Sequence, residues 1–131
     1  MNDRELLELA AKAAGMTGWR YAGALGMCKM INPSRPDATG SIGPNWNPID
    51  DDGDALRLAA KLRLGIEFNE ASVVASWVDD GYEPKEIYGY PDQTQDDDFN
   101  IVYTNHDKAA RRAIVRAAAE IGRQMQNGGA A

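Results

Sequence analysis

Apolar residues recur at three- and four-residue intervals in three parts of this chain, and at closer, strand-like intervals between them. Leu6, Leu9, Ala10 and Ala13 share one helical face, opened by Asn2 and Glu5 as a capping box and closed by Gly15. Ala55, Leu58, Ala59 and Leu62 form a second stripe. That helix is expected to start near Asp51 or Asp52, where carboxylates accept hydrogen bonds from unpaired amides at the positive end of the dipole, and to stop at Gly65. The third stripe is Ala110, Ala113, Ile114, Ala117, Ile121 and Met125, in a helix beginning around Asp107 and capped by Asn105. Its many alanines permit close approach of a neighbouring layer.

Between the helices, residues 19–22 and 25–31 are short, aromatic or apolar, and divided by Gly23, which predicts a hairpin. Residues 66–68 and 72–78, joined by Asn69-Glu70-Ala71, predict two more strands, with a short one at 86–90 and a last one at 99–104. Residues 32–50 carry Pro33, Pro36, Gly40, Gly43, Pro44 and Pro48, a density of breakers that predicts a long loop. The order α-β-β-α-β-β-(β)-α argues an α+β fold, an α-β-α sandwich with a mainly antiparallel sheet, built as a single domain over 1–126 with a flexible tail at 127–131.

Composition fits that picture, since 131 residues with 44% hydrophobic positions can supply one real core. The only cysteine is Cys28, which has no partner for an internal disulfide, so a reducing cytoplasm is the expected setting. No stretch approaches the roughly 20 apolar residues that a membrane span needs, and no membrane association is expected.

Charge changes the picture more. The chain carries a net charge of -6, yet residues 79–98 hold eight carboxylates (Asp79, Asp80, Glu83, Glu86, Asp92, Asp96, Asp97 and Asp98) against Lys85 alone. The rest of the chain is close to neutral, and residues 107–126 are net positive through Lys108, Arg111, Arg112, Arg116 and Arg123. An overall acidic surface argues against direct nucleic-acid binding.

Chemistry is sparse. Asp50, Asp52 and Asp54 alternate as oxygen donors to a hard cation do, but glycine stands at the fourth position and no bidentate Glu follows at the twelfth; helix capping explains them better, and no metal or other cofactor is expected. His106 and Cys28 form a base and nucleophile pair only on paper, because Cys28 sits among Met27, Met30 and Ile31 as a structural thiol does. No catalytic residue is assigned, and the chain is read as not an enzyme. Arg112 and Arg116 lie one helical turn apart and, with the aromatic face of Trp46, would suit a nucleotide; solvating the helix or pairing with the acidic segment is the structural alternative.

Trp46-Asn47-Pro48 followed by Asp51-Asp52-Gly53-Asp54-Ala55-Leu56-Arg57-Leu58-Ala59, with Arg111-Arg112-Ala113-Ile114-Val115-Arg116-Ala117-Ala118-Ala119-Glu120-Ile121-Gly122, resembles the phage ABA sandwich domain family. The resemblance takes in the first helix as well. It implies an α-β-α layered fold and an accessory role for a tailed bacteriophage or prophage in the bacterial host cytoplasm, and it brings no catalytic residues. The acidic segment looks like an addition to that pattern.

Within that segment Tyr82, Tyr88 and Tyr90 interleave with carboxylates, including the run Asp96, Asp97 and Asp98, a combination that gives contact area and polar tips together. These six residues are the expected partner-binding surface of a noncatalytic protein that binds, and inhibits, a host bacterial protein such as a defence protein, carboxylates standing in for nucleic-acid phosphates. The alternatives are a nucleotide or signal-molecule sequestering protein using Trp46, Arg112 and Arg116, and a small-molecule enzyme. The residues leave a homo-oligomer open.

Overall fold

The computed structural model describes residues 1–16, 18–22, 29–31 and 45–128. Three helices and antiparallel strands make an α+β fold, in the order α1 (Asp3–Ala13), β1 (Arg20–Ala22), β2 (Lys29–Ile31), β3 (Asn45–Trp46), α2 (Asp52–Leu62), β4 (Gly65–Phe68), β5 (Val73–Val78), β6 (Pro84–Gly89), β7 (Asp92–Gln95), β8 (Ile101–Thr104) and α3 (His106–Gly128). The helices and their order are those the apolar spacing implies. Cys28, Gly23 and residues 32–44 of the expected loop lie outside the described residues, as do residues 129–131 of the expected tail; Asn127 and Gly128 belong to α3.

The strands form three antiparallel units: β1-β2-β3, β4-β5-β6, and the hairpin β7-β8. Asn45–Trp46, expected as loop, is a strand, because Trp46 pairs with Met30 and turns its ring into the core. β7 went unforeseen for a physical reason: Asp-Gln-Thr-Gln buries nothing on either face, so it carries no apolar alternation.

Helix α3 organises the packing. Ile114, Val115, Ala118 and Ala119 meet Leu6, Leu7, Ala10 and Ala11 of α1 and Ala55, Leu58 and Ala59 of α2 in one core. Ala109 and Ala110 meet Val73, and Ala113 and Ala117 meet Ala75, on the sheet β4-β5-β6. A helix packed on two sides needs a wider apolar surface than one stripe, which is why Ala109, Val115, Ala118 and Ala119 are buried beyond the expected set. Met125, expected in the core, is 47% exposed, because the last turns of α3 outrun the layers around them. In α1 the buried set is Leu6, Leu7, Ala10 and Ala11, joined by Ala14 at its C-cap; the expected Leu9 and Ala13 are half-buried, since the helix is rotated to centre Leu7 on α3.

Two layer contacts are backbone to backbone. A Cβ on Gly122 would overlap the Leu9 carbonyl oxygen of α1, and one on Gly89 of β6 would overlap the Ala109 carbonyl oxygen of α3. Glycine is the only residue that fits either crossing.

Capping follows the sequence in part. The Asn2 side chain accepts from the Glu5 amide at 2.8 Å, and Asp51 accepts from the Asp54 amide at 2.8 Å. Helix α2 does not run to Gly65: it ends at Leu62, and Arg63 takes the left-handed cap at φ 56°, while Gly65 opens β4. Nor does Asn105 cap α3 with its side chain. Its φ is 62°, and its side-chain Nδ2 donates to Asp92 at 2.8 Å instead.

Candidate functional site

The stretch from Trp46 to Leu62 is one structural joint. The Asn47 amide donates to Asp54 at 2.9 Å, the Asn47 side chain donates to Asp50 at 2.9 Å, and its oxygen accepts from the Ile49 amide at 3.1 Å. Asp52 receives Arg111 at 2.6 Å, and Arg57 donates to Asp54 at 2.7 Å. The carboxylates therefore diverge to separate partners. Among the described residues no group of three or more His, Cys, Asp or Glu side chains is placed to hold a metal ion. Arg111 also donates to the Ile49 carbonyl at 2.8 Å and to Asp107 at 3.2 Å, so one nearly buried guanidinium ties the joint to α3. Neither role was legible from the spacing of the arginines.

The His106 Nε2 donates to the Glu70 carbonyl at 2.8 Å and pins the start of α3 to the β4-β5 turn, and among the described residues no carboxylate is a hydrogen-bond partner of its ring. Trp46 is only 8% exposed and belongs to the core. Arg112 pairs with Asp3 of α1 at 2.9 Å, and Arg116 donates to the Tyr88 carbonyl at 3.1 Å, reaching the acidic segment. Among the described residues these three are spread over separate contacts.

The acidic segment is built quite differently. It comprises the end of β5, the strand β6, and the β7-β8 hairpin, in which Tyr103 alone is half-buried and the other strand residues are exposed. The hairpin is held at its base by Asp92, which accepts from Asn105 and lies 3.9 Å from the Lys108 ammonium. Large exposed apolar side chains concentrate here: Val78, Tyr82, Tyr88, Tyr90, Phe99, Ile101 and Val102 all lie between positions 78 and 102, whereas a soluble surface ordinarily scatters such groups singly.

Two turns in this segment share one geometry. Asp79 accepts from the amides of Gly81 and Glu83, both at 2.9 Å, and Asp96 accepts from the amides of Asp98 and Asn100 at 3.0 and 2.8 Å. These bonds hold the Asp96 carboxyl below the usual carboxylate range, the Asn100 amide contributing most. Each turn then places an aromatic at positive φ, Tyr82 at 61° and Phe99 at 63°, where glycine is the unstrained choice. Tyr82 is 89% exposed and Phe99 81%. Phe99 was missed from the sequence, although the repeat Asp-Asp-x-aromatic at 79–82 and 96–99 was a usable signal.

The structure brings some of the six expected partner-binding residues together and separates others. Tyr88 and Tyr90 stack with ring centroids 6.4 Å apart, and the Tyr88 hydroxyl donates to Glu86 at 3.1 Å, which together with that carboxylate's charge raises the Tyr88 pKa above its ordinary value. Asp96, Asp97 and Asp98 form the tip of the hairpin that follows. Tyr82 lies elsewhere: its turn borders Ile121, Gln124 and Met125 near the end of α3, whereas Gly89 touches Ala109 near its start, about 22 Å away at 1.5 Å per helical residue.

Two clefts are lined by the described residues. One, of about 940 Å³, is lined by Leu62, Trp77, Asp79, Ile121 and Met125 among others. The other, of about 530 Å³, lies between α1 and the β1-β2 pair, with Met16, Trp19 and Met30 as apolar lining and Arg4, Lys12 and Arg20 at its edges. Among the described residues no helix is long and apolar enough to cross a membrane. Comparison with protein-family models, curated proteins and solved structures gave no match.

Proposed function

We propose that this chain is a noncatalytic accessory protein that binds a protein of a bacterial host through the strip formed by Tyr88, Tyr90 and the β7-β8 hairpin. The observation that carries the reading is the concentration of exposed aromatic and aliphatic side chains in the most acidic part of the chain, on a hairpin that contributes almost nothing to the core. A two-stranded hairpin standing alone in water is marginal, so surface of this kind has more to gain from a partner than from solvent. Fixed carboxylates around stacked rings complement a basic surface with an apolar centre, such as the nucleic-acid-binding face of a defence protein. The phage setting rests on the resemblance of the 46–59 and 111–122 motifs to the phage ABA sandwich family.

The test is site-specific photo-crosslinking from position 90 in infected cells, compared between the unaltered hairpin and Asp97→Lys with Asp98→Lys, which leaves the Asp96 turn bonds in place. A discrete host protein crosslinked by the first and absent from the second, with equal thermal stability of the two, supports the reading. Equal crosslinking by both, or none by either, removes it.

A further inference from the structure

We propose that copies of this chain associate head to tail, the β7-β8 tip of one copy seating in the cleft between α1 and β1-β2 of the next. The cleft and the tip have matching chemistry. In the cleft, Arg4 is paired with Glu8 at 2.6 Å and lies 5.4 Å over the Tyr21 ring, which leaves Lys12 and Arg20 as exposed cations that make no ion pair among the described residues. Met16, Trp19 and Met30 supply the apolar lining between them. At the tip, Asp96 is occupied by the turn amides, which leaves Asp97 and Asp98 exposed beside an 81%-exposed Phe99. Two cations around an apolar hollow of about 530 Å³ therefore face, on another copy, two carboxylates flanking one aromatic ring.

One chain cannot be paired with itself in this way, because α1 and the cleft lie on one side of α3 while the hairpin leaves from its sheet side, at Asp92, Asn105 and Lys108. A tip-to-cleft contact joins two different patches and is therefore heterologous: a row of copies ends on one free tip and one free cleft, and association continues with concentration. The contact depends on opposite charges at the surface, so it weakens as salt shortens the screening length from about 10 Å at 0.1 M to about 3 Å at 1 M. It needs no host protein, and its failure would leave the proposed function untouched.

The experiment is sedimentation equilibrium of the purified full chain at graded concentration, with two double variants, Asp97→Lys with Asp98→Lys and Lys12→Glu with Arg20→Glu, each checked for unaltered thermal stability. The expected result is a weight-average mass that climbs above 14.3 kDa with concentration for the unaltered chain and remains at 14.3 kDa for either variant alone. An equimolar mixture of the two variants restores association, since the lysine tip of one matches the glutamate cleft of the other and the second tip still matches the first cleft. An unaltered chain that stays monomeric at about 0.5 mM, a variant that associates as before, or a mixture that stays monomeric overturns the proposal; a host-protein crosslink found or not found has no bearing on it.

Discussion

Gly122→Ala sets two physical effects against each other. In an exposed helix interior the change is favourable by about 1 kcal/mol, because alanine restricts the unfolded chain and glycine does not. In α3 the new methyl would overlap the Leu9 carbonyl oxygen and sit 2.9 Å from the Leu9 carbonyl carbon and 3.3 Å from its Cα. Non-bonded carbons rest at about 3.5–4 Å, so α1 must retreat by roughly 1 Å, and no rotamer relieves a clash with backbone. That retreat loosens Leu6, Leu7 and Ala10 against Ile114, Val115 and Ala118. Overpacking of this kind costs about 1–3 kcal/mol, and the rigid partner puts this site at the upper end. The net loss is about 2 kcal/mol, which for a domain of 131 residues lowers Tm by roughly 6–10 °C. Thermal unfolding followed by circular dichroism measures it, with Gln126→Ala on the exposed side of the same helix as the comparison. A Tm equal to or above that of the unaltered chain would refute the close crossing of α1 and α3.

Three further outcomes follow from the same geometry. Tyr82→Gly relieves a left-handed aromatic that buries almost nothing, and is expected to raise stability by roughly 0.5–1 kcal/mol, while Phe99→Gly should slow amide exchange in β7 and β8; a fall in either quantity argues that the rings make native contacts. Arg111→Ala leaves the Ile49 carbonyl and Asp52 without their donor and should cost about 1–2 kcal/mol, read as a shift in denaturation midpoint at constant m value. For pH, Asp96, Asp107 and Glu120 all have lowered folded pKa values, through bonds from the Asn100 amide, the Lys108 amide and the Arg123 guanidinium respectively. A lowered carboxylate contributes stability that is present above its unfolded pKa, near 4, and is lost as pH falls through the folded value. Tm should hold down to about pH 5 and drop below pH 4, and a Tm that rises on acidification would contradict those assignments.

The sequence by itself determined the elements that are built from local signals. Apolar residues three and four apart define α1, α2 and α3, Asn2 and Asp51 cap the first two, and the apolar runs at 66–68 and 72–78 mark the strands that follow. Those signals act within one turn or one strand, so they need no knowledge of neighbours. Tertiary structure decided what depends on distant pairing. It put α3 between the sheet and the other helices, so that a single stripe became a helix buried on two sides, and it required Gly89 and Gly122 where two backbones cross. It also drew Arg112 to Asp3 and Arg116 to Tyr88, consuming cations that in sequence read as a ligand line, and it separated Tyr82 from the hairpin that carries Asp96, Asp97 and Asp98. Local periodicity records which side of an element is apolar; only the packed chain fixes what that side meets and which charges are left facing solvent.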